Sequence, residues 1–140
     1  MKKLKSIKSL KNKAYALWKE IVFQRDGHEC WVARCLPEIQ IAHTDIIQVD
    51  HCFTRSNKHL FFDPRNGTPV CSACNQAKHY DQKGVRRAID EIVTNREGYS
   101  WFELAKALDK SKSANSDFSK RWWLAETIEK LEKQLEEMKK

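Results

Sequence analysis

The alternation of apolar and polar positions divides the chain into segments of different period. Over residues 10 to 25, Ala14, Leu17, Trp18, Ile21 and Val22 share one helical face, while Lys13, Lys19, Glu20 and Gln24 fall elsewhere. Asp26-Gly27 ends that helix in turn chemistry. Residues 39 to 43 and 45 to 52 carry β-branched side chains, with Ile47, Val49 and His51 on one face, and predict two strands with His51 at the end of the second. Residues 53 to 69 read as a loop. Its Leu60, Phe61 and Phe62 anchor it to the core, and Asp63-Pro64 and Asn66-Gly67 are turn signatures.

Beyond that loop the period returns to that of a helix. A short helix is predicted over residues 72 to 80, where Cys71, Asn75 and His79 recur every four positions and so present Asn75 and His79 on one face. Residues 84 to 93 form another, with Val85, Ile89, Ile92 and Val93 apolar. Ser100 with Glu103 makes a capping box for a helix reaching Leu108, on which Trp101, Phe102, Leu104 and Leu108 pack. Residues 111 to 118 are a polar linker. In the segment from 119 to 140, Leu124, Ile128, Leu131, Leu135 and Met138 repeat at intervals of four and three among charged neighbours, an amphipathic helix of coiled-coil type. That stripe fits docking on its own domain and pairing with a second copy as a homodimer equally well. These periods together predict an α+β fold.

Charge adds a partner class. The chain has 26 Lys and Arg against 19 Asp and Glu and a net charge of +7, which favours a polyanion such as nucleic acid. Lys2, Lys3, Lys5, Lys8, Lys11 and Lys13 account for nearly all the excess, so residues 1 to 9 read either as a basic arm for a phosphate backbone or as a solubilising terminus. Arg55, Lys58 and Arg65 in the central loop are further phosphate-contact candidates. No apolar run approaches the roughly 18 residues of a membrane span, and no apolar core follows the basic start, so no membrane partner and a cytoplasmic location are expected.

The five cysteines sharpen the picture. In a reducing compartment they point to metal rather than disulfides. Cys71-Ser72-Ala73-Cys74 lies at a predicted strand-to-helix junction, the usual place for two zinc-binding sulfurs, and Cys30 with Cys35 supplies two more. Four thiolates around a structural Zn²⁺ follow, with His28 as the replacement ligand and Cys52 as a buried bystander. Such a clamp brings Asn66 and Asn75 back toward Asp50-His51, where a carboxylate can hold a hard cation and an imidazole can take a proton.

Arg25-Asp26-Gly27-His28-Glu29-Cys30, Val49-Asp50-His51, Asp63-Pro64-Arg65-Asn66 and Cys71-Ser72-Ala73-Cys74-Asn75 with Lys78 resemble the HNH endonucleases, whose ββα-metal centre is often braced by zinc. The resemblance covers residues 10 to 80. Within that superfamily the chain looks most like the NinG (Rap) recombination endonucleases of lambdoid phages, through the Leu17-Trp18 helix, the 51 to 55 and 62 to 66 runs, Cys71 to Asn75, and a charged C-terminal helix.

The resemblance implies a zinc-braced ββα-metal domain over residues 10 to 110 that hydrolyses DNA phosphodiesters, including those of branched recombination intermediates. It implies His51 as general base, Asn66 as the residue that holds it, and Asp50, Asn75 and His79 as ligands of a catalytic Mg²⁺ or Mn²⁺. Lys78 joins the DNA-contact residues. The residues suit that chemistry, since a neutral imidazole fixed by a hydrogen bond can deprotonate water at neutral pH, and oxygen ligands suit hard cations. A non-catalytic zinc module that binds nucleic acid is the alternative.

Overall fold

A computed structural model describes residues 4–53, 58–111 and 120–140; of Lys58, His59 and Ser111 it describes the backbone only. The predicted linker at residues 111 to 118 lies outside the described residues, apart from the backbone of Ser111. In chain order the elements are α1 (Ile7–Asp26), α2 (Trp31–Cys35), β1 (Ile47–His51), α3 (Lys58–Phe61), a 3-10 turn (Pro64–Asn66), β2 (Gly67–Cys71), α4 (Ser72–His79), α5 (Val85–Glu97), α6 (Tyr99–Ser111) and α7 (Arg121–Met138). The fold is α+β, mainly helical around a small two-stranded sheet.

Helix α1 starts earlier than its apolar stripe, because the Ser6 hydroxyl caps it by accepting from the Ser9 N–H at 3.0 Å. Residues 7 to 9 of the expected basic arm are therefore helical. The sheet also departs from expectation. Residues 39–43 form no strand, and β1 pairs antiparallel with β2, whose first three residues the sequence reading assigned to a loop. Pro69 is tolerated there because each strand of a two-stranded sheet has an edge that needs no N–H donor.

Gly67 opens β2 in ordinary extended backbone, with φ −109°. Its need for glycine is steric, since a Cβ there would meet Val22 Cγ2 at 2.7 Å and Trp18 Cζ2 at 2.8 Å. The absent side chain lets α1 lie directly on the sheet.

Two apolar clusters flank the strands. One gathers Ala14, Trp18, Ile21 and Val22 of α1 with Val49, Phe62 and the α7 stripe of Leu124, Ile128, Leu131 and Leu135. The other gathers Val32, Val70, Val85, Ile89, Val93 and Ala105 around the buried Cys30, Cys71 and Cys74. Trp101, Phe102 and Leu108 of α6 pack on this second cluster as expected, whereas Leu104 is exposed. The C-terminal helix thus docks on its own chain. It runs parallel to α1, with Arg121 Nε donating to the Lys5 carbonyl at 3.0 Å, Lys13 3.9 Å from Glu132 and Lys139 3.4 Å from Glu20. No helix among the described residues is long and apolar enough to cross a membrane.

A buried charge network fixes the corner from which the cysteines depart. Asp26 accepts from Arg25 Nε at 2.8 Å and, 3.5 Å away, from Arg96 of α5. Arg25 also donates to the carbonyls of Pro64 at 2.9 Å and Gly67 at 2.7 Å, and Arg96 to that of Arg65 at 2.7 Å. Burial holds the Arg96 pKa below its usual value, with the Arg25 charge acting the same way. The Trp31 indole donates to the Asp26 carbonyl at 3.0 Å, which turns the chain into α2 and sets Cys30 at its N-cap.

Candidate metal centre and adjoining cavity

Cys71 ends β2 and caps α4. Its sulfur accepts from the Cys74 N–H at 3.4 Å, so both sulfurs of the C-x-x-C face the same point. Cys30 arrives from the α2 N-cap, with its sulfur 3.8 Å from that of Cys74. The fourth ligand is His43. Its Nδ1 stands 3.4 Å from Cys74 Sγ, 3.5 Å from Cys71 Sγ and 3.8 Å from Cys30 Sγ. All four ligand atoms lie within 4.8 Å of one another.

These separations can be tested against an ion. A tetrahedron with arms of about 2.3 Å to sulfur and about 2.0–2.1 Å to nitrogen has edges of about 3.8 Å between sulfurs and about 3.5 Å between sulfur and nitrogen. The Cys30 to Cys74 separation and the three from His43 lie within about 0.3 Å of those edges, and the donor set of Cys30, His43, Cys71 and Cys74 is compatible with a closed, structural zinc site. Cys35 is not part of it, and is exposed at the far end of α2. His28 does not replace it either, since its ring stacks on Phe23 at 3.8 Å.

Two thiols of the cluster differ in proton affinity. At Cys71 burial opposes ionisation, but N–H groups of Thr44 and Cys74 and the His43 ring outweigh it and hold the pKa down at about 6. Burial and the neighbouring sulfurs push Cys74 the other way.

The loop carrying His43 is pinned to α4 beside the cluster. The Ser72 N–H donates to the Ile46 carbonyl at 2.8 Å, and the Thr44 and Ser72 hydroxyls meet at 2.6 Å. No motif spacing marks His43, which stands alone among Ala42, Thr44 and Asp45. Its only sequence signal is position: it is a metal-ligating residue type just before a strand that pairs with the one ending in Cys71.

Because Cys71 and Cys74 fix where α4 begins, they also fix where its later residues stand. Asn75, Lys78 and His79 line a cavity of about 430 Å³ together with Asp50, His51 and Cys52 of the opposite strand end. His51 is buried, stacked on Trp18 with ring centroids 4.1 Å apart and planes inclined by 13°. Its Nε2 lies 3.0 Å from the Phe61 carbonyl oxygen. Donation of Nε2–H to that carbonyl makes Nδ1 the proton-accepting atom of the ring.

Asn66 does not hold the imidazole directly. It is fully buried, accepts from the Phe53 N–H at 2.8 Å and donates to the Leu60 carbonyl at 3.1 Å. Its own carbonyl accepts from the Cys52 N–H at 2.8 Å. It therefore closes the 52 to 66 loop, and that loop brings Phe61 to His51. The correction is one of route, because the side-chain amide is directed at the backbone of Phe53 and Leu60 and not at the ring.

Lys78 is also used internally. Its ammonium is 2.8 Å from Asp50 Oδ2 and donates as well to the His51 carbonyl. Burial raises the Asp50 pKa, with Lys78 and His79 pulling against it. Cys52 is a bystander as expected, a buried thiol pushed up by burial and donating to Asp90 at 3.4 Å. Asn75 Nδ2 donates to Gln48 Oε1 at 2.7 Å. Arg65 forms a double contact with Asp63, at 3.0 and 2.7 Å, and lies over the Trp101 ring, away from this cavity. Arg55 and the side chain of Lys58 lie outside the described residues. Among those residues the Cys30, His43, Cys71 and Cys74 cluster is the one gathering of three or more His, Cys, Asp or Glu ligands. Asp50 and His79 share the cavity without forming a second.

Compared with known proteins, the chain matches no family model, no curated protein and no solved structure.

Proposed function

We propose that the chain is a zinc-braced, metal-dependent DNA endonuclease of the HNH type, hydrolysing phosphodiesters with His51 as general base. The observation that carries this reading is the state of His51: a buried imidazole, oriented through Nε2 and stacked on Trp18, in a cavity shared with a carboxylate, a carboxamide and a second imidazole. A ring fixed in this way is pre-oriented to take a proton from water. The strand, strand, helix order of β1, β2 and α4, with the sulfur cluster at the last junction, is consistent with the same family.

Asp50, Asn75 and His79 would hold a Mg²⁺ or Mn²⁺, which when bound neutralises the phosphoryl oxygens and the departing 3′ oxygen. The chain's own part is separate. Phe61 and Trp18 hold the base, Asn66 holds the loop that carries Phe61, and the sulfur cluster holds α4 against β1.

One observation favours a second reading, a zinc-dependent nucleic-acid-binding module without catalysis. The carboxylate offered to a cation is already neutralised by Lys78. Plasmid nicking by the purified protein with Mg²⁺ or Mn²⁺ separates the two. The endonuclease reading requires nicking that His51→Ala reduces by about 100-fold or more, and full activity in that variant rejects the base. Salt-sensitive DNA binding without cutting under any divalent ion selects the module.

A further inference from the structure

We infer that Arg86 of α5 is the residue that contacts a substrate phosphate in the His51 cavity. The inference rests on that cavity being where nucleic acid is engaged, and it extends the site to a helix beyond the stretch that resembles a known family.

Charge within the cavity leads to it. Lys78 is committed to Asp50 at 2.8 Å, so those two charges offset each other. Asp109 of α6 adds a carboxylate on another wall. Apart from Arg86, the described lining offers a phosphodiester no fixed positive charge beyond a buried, neutralised lysine.

Arg86 lines the same cavity, is exposed, and forms no ion pair or hydrogen bond with a described residue. Among the described residues, other arginines near the sheet are occupied: Arg25 and Arg96 on Asp26, Arg65 on Asp63. A guanidinium presents paired N–H donors that match two oxygens of a phosphate, and at a cavity mouth it keeps that fork for a ligand.

The neighbouring residue supplies an internal control. Arg87 is also exposed and without a described partner, but one residue along α5 it points about 100° away and does not line the cavity. A general attraction of positive charge for DNA would make the two equivalent. A phosphate contact would not.

The experiment measures anisotropy of a fluorescein-labelled DNA oligonucleotide with wild type, Arg86→Ala, Arg86→Lys and Arg87→Ala, in Ca²⁺ and across a salt series. Zinc content and melting temperature are followed on each sample. Arg86→Ala should weaken binding about tenfold and lower the salt slope by about one. Arg86→Lys should recover part of the loss, and Arg87→Ala should stay within about twofold of wild type. Equal losses for Arg86→Ala and Arg87→Ala, or none for Arg86→Ala, overturn the inference, as does wild type that does not bind. Plasmid nicking on the same samples keeps the two readings apart. A wild type that binds but never cuts removes the endonuclease reading, while the contrast between Arg86 and Arg87 still decides the phosphate contact.

Discussion

The two polar centres of this protein share one short helix, the cysteines at its start and the cavity residues along its later turns, and are built on opposite terms. At the sulfur cluster, ligand atoms from the α2 N-cap, the 36 to 46 loop, β2 and α4 converge within 4.8 Å of one another, an arrangement that a cation would join. At the His51 cavity the groups of the strand end and of Asn75 already have protein partners: Asp50 has Lys78, Asn75 has Gln48, and His51 has the Phe61 carbonyl. The first arrangement is a closed binding site whose energy is spent on folding. The second is a set of oriented groups open to an incoming molecule, and it depends on the first for its geometry.

The largest expected effect comes from breaking the cluster. Structural zinc supplies about 10–16 kcal/mol of apparent folding energy in small domains, against a total stability of about 5–15 kcal/mol. Cys74→Ser, or removal of metal by a strong chelator, should therefore abolish the cooperative thermal transition followed by circular dichroism. His43→Ala should lower zinc affinity and melting temperature together. Elemental analysis should find one zinc per wild-type chain, and a metal-free chain that melts like the loaded one would overturn the structural role.

The next largest effect belongs to the cavity. Lys78→Met leaves the Asp50 carboxylate buried without its ammonium, which costs about 3–5 kcal/mol for a broken buried pair. The pH dependence has a definite sign. Burial already raises the Asp50 pKa, and losing Lys78 raises it further. A carboxyl that binds its proton more tightly folded than unfolded contributes stability that is full below its unfolded pKa and is lost as pH rises through the folded one. The deficit of Lys78→Met relative to wild type in urea titrations should thus be small in mild acid and grow toward neutral pH. A deficit that shrinks with rising pH would mean that Asp50 is not the group left exposed.

Gly67→Ala tests the link between the centres and should cost about 1–3 kcal/mol, the usual range for overpacking. The added methyl meets Trp18 and Val22, and Trp18 is the ring on which His51 stacks. The same substitution should shift the His51 imidazole resonances in NMR while leaving bound zinc in place. Perturbed zinc with an unmoved imidazole would show that α1 supports the cluster instead.

Some of this was legible in the sequence, and the reasons for the rest are physical. The apolar stripe of α1, the C-x-x-C at a strand-to-helix junction and the face shared by Asn75 and His79 are local periodic signals, and short-range geometry carries them into the fold. The start of β2 was hidden because Gly67 and Pro69 are turn formers locally, whereas the glycine answers to α1 packing and the proline to a sheet edge. The route by which Asn66 acts was hidden because it bonds to loop backbone atoms, which carry no sequence label. The docking of α7 was undecidable from its own stripe, since the complementary surface belongs to α1.

The smallest expected effect separates the two candidate fourth ligands. Cys30 and Cys35 look like a pair in sequence, but α2 lies between them, and five residues of helix turn a side chain through about 500°, or roughly 140° beyond a full turn, while advancing it about 7.5 Å. Two sulfurs so displaced cannot converge on one ion. His43 has no such constraint, because irregular backbone on either side lets its ring turn inward beside Cys71 and Cys74. Cys35→Ser should therefore keep one zinc per chain and change stability by no more than about 0.5 kcal/mol, as for an ordinary surface substitution. In a cobalt-substituted sample the charge-transfer intensity should report three thiolates in wild type and in Cys35→Ser alike, and a drop in the variant would return Cys35 to the metal.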